Sequence, residues 1–270
     1  EMLRSNPDYK GLMLTISEAL EKANKNTLLI SVDNHKDSLA ISRSVLDKVK
    51  NKVIIDHHRR SEEFISSPVL TYLEPSASST VELLVELFDY QQHEIEISSL
   101  DATIMYTGML VDTNYFRQHV GTRTFQSAAK LKEAQADLSL AYELLEDSFE
   151  CMKEIFDITE SAYRYKDKFL IATGKDEELS RSTLAKAANQ LVYVSGIYAA
   201  FAIGYISKNT VAISARSSKK VNVQMIMEND ALHGGGHFSM AACQIENVTI
   251  EEAKERLEHA IDAYLEDRGV

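Results

Sequence analysis

Cysteine is scarce: Cys151 and Cys243 are the only two in 270 residues and lie far apart. That number and spacing exclude a disulfide framework and a zinc knuckle, leaving two small buried residues in a reducing compartment. There are three prolines, and with no repeat or low-complexity tract the composition excludes a disordered or fibrous chain. No uncharged apolar run reaches the roughly 18 residues that a membrane span needs, and the first residues carry no signal-peptide pattern. This chain is therefore expected to be soluble, in the cytoplasm, with no membrane segment of its own. Basic charge is outweighed as well, since 29 Lys and Arg face 41 Asp and Glu for a net charge of −12. A protein that coats duplex nucleic acid needs a basic face, so that class is excluded. A small anionic substrate held by a few local cations and metal ions stays compatible.

What the chain does have is apolar runs that end in acids and imidazoles. Val53-Ile54-Ile55 leads into Asp56-His57-His58, and the run reads as a buried strand with polar groups at its carboxyl end, where open α/β sheets place ligands. Thr27 to Val32 is a second run, closing on Asp33-Asn34-His35. Ala102 to Val111 is apolar around its circumference, suits a buried helix better than a strand, and delivers Asp112-Thr113-Asn114. Singly, Asp33 reads equally well as a turn residue, His35 as a hydrogen-bonding neighbour and Asp112 as a helix cap. Together the three tips point to a metal site. Mixed carboxylate and imidazole donors suit manganese or a similar divalent ion, whereas zinc more often recruits cysteine.

The first part alternates helix and strand: helix over Ser17–Ala23, strands over Leu28–Val32, Val53–Ile55 and Leu70–Leu73. The stretch Ser76 to Glu82 then opens a helix through Tyr90, with Glu82 in the capping-box position after Ser79. From Arg123 to Tyr165 the pattern is helical, and a bridge between two domains is expected near residues 145–160. A strand at Phe169–Ala172, a helix at Ser182–Leu191, a hairpin made of Ile197–Tyr205 and Thr210–Arg216, and a final amphipathic helix at Glu251–Asp267 follow.

The second part holds another cluster. Ser214-Ala215-Arg216-Ser217-Ser218-Lys219-Lys220 joins hydroxyls to cations, and Gly234-Gly235-Gly236-His237 precedes Phe238 to Ala242, a stretch of small residues that reads as the start of a helix. Successive glycines let backbone N–H groups approach an oxyanion, and a helix amino terminus adds favourable partial charge. One domain thus offers metal ligands and the other anion donors, with a cleft expected between them. Such an arrangement suits hydrolysis of a phosphate ester or anhydride, because two divalent ions about 4 Å apart activate a shared water and neutralise phosphoryl charge.

The Val32 to His35 tip, Asp56-His57-His58, Gly108 to Thr113 and Gly234 to His237 resemble, in order and spacing, the motifs of the DHH phosphoesterases with their DHH-associated carboxyl-terminal domain. The wording around each motif is most similar to the GdpP/YybT-type cyclic-di-AMP phosphodiesterases of Gram-positive bacteria. The resemblance implies an α/β fold, with a Rossmann-like parallel-sheet DHH domain over 1–145, a helical linker over 146–165 and a smaller α/β DHH-associated domain over 166–270. It implies Mn²⁺-dependent opening of cyclic di-AMP to linear 5′-pApA, with two ions per complete site. Asp33, His57 and Asp112 would be metal ligands, and Asp56, His58 and His35 would orient them. His58 is also counted with the catalytic group. Arg216, Ser217, Ser218, Gly234, Gly235, Gly236 and His237 would hold the nucleotide, and Arg123 is a weaker candidate for phosphate.

The family's opening His-x-x-x-Asp-x-Asp pattern does not precede Asp33. The expectation is therefore an incomplete two-metal site in this polypeptide, with weak manganese binding and slow turnover. A longer parent protein anchored in the cell membrane is also implied. Oligomeric state is left open by the motifs, although the exposed hairpin could pair with a second copy to make a homodimer. Sister readings are a pApA or short-oligonucleotide phosphodiesterase, a manganese pyrophosphatase, and a silent nucleotide-binding domain.

Overall fold

The computed structural model describes residues 7–9, 11–91, 96–218 and 220–267, so Lys219 of the basic turn lies outside the described residues. The chain divides into two compact units, residues 1–146 and 147–270.

The first unit runs α1 (Ile16–Lys22), β1 (Leu28–Val32), α2 (Arg43–Lys48), β2 (Asn51–Asp56), β3 (Leu70–Leu73), α3 (Thr80–Phe88), α4 (Ser99–Asp112), α5 (Thr122–Glu133) and α6 (Leu138–Glu143). Its sheet is parallel in the order β1-β2-β3. Parallel strands end together, so β1 and β2 bring Asp33 and Asp56 to one edge. In β2, Ile54 and Ile55 are buried and pack on opposite faces, Ile54 with Leu46 and Ile65, Ile55 with Ala77 and Leu83. β1 departs from the buried strand expected. It is an edge strand whose Leu29 packs inward while Leu28, Ile30 and Val32 are exposed. α4 buries Ala102, Tyr106, Met109 and Leu110 against Val85, Leu131 and Ala141, which fixes where its last residue, Asp112, emerges.

The second unit runs α7 (Phe149–Glu160), β4 (Tyr163–Tyr165), β5 (Phe169–Glu178), α8 (Arg181–Leu191), β6 (Ala199–Ser207), β7 (Thr210–Ser217), α9 (Val223–Met227), β8 (Gly235–Gly236), β9 (Met240–Glu246) and α10 (Ile250–Glu266). The sheet order is β4-β5-β6-β7-β9-β8. Alternating residues of β6 divide the core: Phe201 and Ile203 pack towards α10, while Ala200 and Ala202 pack towards α7 and α8.

Three expectations change here. The stretch 146–165 is no bridge: Ile155 and Ile158 of α7 are part of the second unit's core, and Tyr163–Tyr165 is a strand. The hairpin cannot pair with a second copy edge to edge, because β6 is flanked by β5 and β7, and β7 by β6 and β9. The glycine run opens no helix. Met240–Glu246 is a strand in which Ala241, Cys243 and Ile245 point inward, and Gly235–Gly236 pairs with it.

Candidate active site

At the tip of β1 the chain turns sharply, and Asp33 takes a left-handed backbone with φ 62°. Its N–H donates to the carbonyl of Ile55 at 2.9 Å, tying the turn to β2. Asp33 Oδ1 accepts a hydrogen bond from Thr80 Oγ1 at 2.8 Å and lies 3.5 Å from His57 Nε2. Asp112 Oδ2 stands 4.0 Å from the same nitrogen, and His58 Nδ1 is 3.9 Å from Asp33 Oδ1. Asp33, His57 and Asp112 therefore converge from a strand tip, a loop and a helix end, and His58 sits beside them. One donor atom from each of Asp33, His57 and His58 falls within 4.8 Å of the others.

Behind them, Asp56 is fully buried and joins two rings. His35 Nδ1 is 2.5 Å from Asp56 Oδ2 and His58 Nδ1 is 2.7 Å from Oδ1, while the backbone N–H of His58 donates to Oδ1 at 3.1 Å. Burial pushes the Asp56 carboxyl up, but the hydrogen bonds from His58 and His35 outweigh it and hold the group well below the carboxylate range. The same bond raises His58 against the opposing effect of burial. His35 is buried, and its Nε2 accepts from the Ser61 N–H at 3.3 Å. It supports the site rather than lining it.

His57 is arranged differently. Its Nδ1 is 3.3 Å from the carbonyl of Ala77; a carbonyl only accepts, so Nδ1 carries a proton, and in the neutral imidazole Nε2 then presents the lone pair. That Nε2 is buried and has no hydrogen-bond partner. Burial pushes the Asp112 carboxyl up to about 6, with His57 pulling down and the charge of Asp33 pushing up. A buried imidazole lone pair facing two crowded carboxylates fits a divalent cation, which would satisfy the nitrogen and offset the repulsion between the acids.

Arg123 is engaged elsewhere. Its guanidinium pairs with Glu86 and lies 3.6 Å from Glu82, so the weaker phosphate candidate is a structural cation.

In the second unit, Arg216 leaves the end of β7 and donates from Nη1 to the carbonyl of Ala215 at 2.9 Å and to Ser214 Oγ at 3.3 Å. Burial draws its pKa down. Arg216, Gly235 and Gly236 line a pocket of about 310 Å³ together with Arg181, Met240 and Gln244. Arg181, at the start of α8, donates to Gln244 Oε1 at 2.9 Å. As an isolated arginine at a helix start it carried no motif signal, and only the register of β9 brings it there.

The remaining candidates stand apart from that pocket. Ser217 is buried and its hydroxyl donates to the carbonyl of Val221 at 2.5 Å. Ser218 Oγ donates to the Tyr198 carbonyl at 3.3 Å, and the His237 N–H donates to the Met240 carbonyl at 2.7 Å. Gly234 is a packing residue: a Cβ there would sit 2.5 Å from the carbonyl oxygen of Ala242 and 2.6 Å from Cys243 Cβ.

A family model described as the DHH family, N-terminal domain, matches residues 2–109, and one described as the DHHA1 domain matches residues 166–267. The chain belongs to the DHH family. Among relatives of this DHH-family chain is the cyclic-di-AMP phosphodiesterase PdeA of Listeria monocytogenes serotype 1/2a (strain 10403S), 42% identical over 97% of this chain and 42% of that protein. The cyclic-di-AMP phosphodiesterase GdpP of Bacillus subtilis (strain 168) is 42% identical over 94% of this chain and 38% of that protein. The chain spans about two fifths of the length of these relatives. An exopolyphosphatase-related protein from Bacteroides fragilis shares the fold, with a TM-score of 0.78 at 21% identity over 91% of this chain and 73% of that one. Among the described residues of the DHH-family chain no helix is long and apolar enough to cross a membrane.

Proposed function

We propose that this chain is a divalent-metal-dependent phosphodiesterase that opens cyclic di-AMP to linear 5′-pApA. The observation that carries it is the buried, unpartnered Nε2 of His57, facing the carboxylates of Asp33 and Asp112. In this reading Asp33, His57 and Asp112 hold manganese, two ions in a complete site. When bound, the metal supplies an activated water and neutralises charge on the phosphoryl oxygens.

The chain's own residues prepare that chemistry. Ala77 keeps the proton of His57 on Nδ1, so Nε2 stays available as a donor. Asp56 fixes the rings of His35 and His58, the kind of outer support that sets ligand orientation. In the second unit the guanidinium groups of Arg216 and Arg181 offer paired N–H donors that match phosphate oxygens, and the backbone beside Gly235 is open, with nothing within 4 Å of where its Cβ would be. The substrate is argued from the two relatives whose names specify cyclic di-AMP.

Product analysis tests the reading. Cyclic di-AMP, pApA and pyrophosphate are each incubated with the chain, with and without Mn²⁺. Manganese-dependent appearance of pApA from cyclic di-AMP is expected. Cleavage of pApA or pyrophosphate with the cyclic substrate untouched would replace this reading with a sister activity.

A further inference from the structure

Glu82 is a buried carboxylate that none of the chemistry above uses. Its Oε2 accepts from Ser78 Oγ at 2.6 Å, from the Ser78 N–H at 3.3 Å and from Thr124 Oγ1 at 2.8 Å, and Arg123 Nε lies 3.6 Å from Oε1. The capping box legible in the sequence is therefore only half formed. Ser79 Oγ does accept from the Glu82 N–H at 3.2 Å, but the carboxylate turns away and gathers groups from the turn and from α5 instead. The consequence is that residues 77–80 are held from behind.

The front of that turn touches the site twice. The Ala77 carbonyl accepts a hydrogen bond from His57 Nδ1, and Thr80 Oγ1 donates to Asp33 Oδ1. Thr80 is buried, whereas the Asp33 side chain is 53% exposed and springs from a left-handed backbone position. A half-exposed carboxylate samples several rotamers unless a fixed donor selects one. Thr80 is such a donor, because the helix start and Glu82 hold its backbone in place.

We infer that Thr80 is a positioning residue that turns the Asp33 carboxylate towards His57 and so completes the metal-binding geometry, with Glu82 bracing the turn that carries it. The inference rests on the metal reading given above.

Three forms of the full chain test it: wild type, Thr80→Val, which keeps the shape and removes the hydroxyl, and Thr80→Ser, which keeps the hydroxyl. Mn²⁺ alone is titrated into each by calorimetry, and a crystal structure of metal-free Thr80→Val is determined. Outer-shell partners are worth about 10–100-fold in metal affinity, so Thr80→Val is expected to bind that much more weakly and Thr80→Ser close to wild type, with thermal melts that coincide. In the metal-free Thr80→Val structure, Asp33 is expected to have turned from His57. Affinity equal to wild type in Thr80→Val, or equal losses in both variants, overturns the inference. If wild type takes up no Mn²⁺, the metal reading fails, and the Asp33 rotamer in Thr80→Val still decides the positioning role.

Discussion

His57 carries two nitrogens with separate duties, one spent on the Ala77 carbonyl and one kept for the site. Replacing His57 with Ala is expected to lower phosphodiesterase turnover at least about 100-fold, since a lost ligand costs no less than a lost outer-shell partner; steady-state kinetics checks it. Arg216→Ala belongs to the other chemistry. It should raise KM about tenfold or more with a smaller change in kcat, the pattern of lost substrate binding; an unchanged KM would remove Arg216 from that role. Asp33, His57 and Asp112 were legible because each ends an apolar run, where packing fixes the position of a polar group. Thr80 and Ala77 were not legible as site residues. A threonine at the first position of a helix looks the same in sequence whether or not it faces a carboxylate, and a carbonyl leaves no trace in a side-chain pattern. The bond from the Ser217 hydroxyl to the Val221 carbonyl was not legible, because a hydroxyl beside an arginine says nothing about which carbonyl it will bond.

At the scale of elements, strands and helices were largely legible where one period dominated. Val53–Ile55, the 169–172 run, the hairpin and the last helix all form. Besides Tyr163–Tyr165, a short strand read as helix, the misreading fell on Phe238 to Ala242, where small residues left the period open. The alternation of Ala241, Cys243 and Ile245, which marks a strand, became decisive only with β7 beside it. That strand gives the glycines opposite fates. Gly234→Ala brings a Cβ against the backbone oxygens of Ala242 and Met227, and such overpacking costs about 1–3 kcal/mol. Gly235→Ala meets nothing within 4 Å and should leave stability within about 0.5 kcal/mol of wild type. Urea unfolding of the two variants side by side checks the contrast. Gly235→Ala should still raise KM, because its methyl stands where a phosphate would approach.

For the whole molecule, two groups in the second unit, a buried thiol and a half-buried phenol, set an alkaline limit. Burial pushes the Cys243 thiol up to about 12, and burial with the Asp262 hydrogen bond pushes the Tyr165 hydroxyl up to about 12. Both folded-state values lie above the ordinary ones, so the folded chain holds these protons more tightly than the unfolded chain. The stability they contribute is complete below about pH 9 and is lost as pH rises towards 12. The urea midpoint should therefore be lower at pH 11 than at pH 8, and Cys243→Ala should flatten that fall; an unflattened fall would assign it to other groups. α7 could not be assigned to a unit from the sequence, because an amphipathic helix does not state which neighbour its Ile155 and Ile158 will meet. The central claim is that His57 Nε2 is a metal donor. Its most direct test is an electron paramagnetic resonance titration of Mn²⁺ into wild type and His57→Ala, reading the free six-line signal. At protein concentrations high enough to drive weak binding, wild type should deplete that signal and His57→Ala should leave nearly all of it free, whereas equal depletion by both would contradict the account.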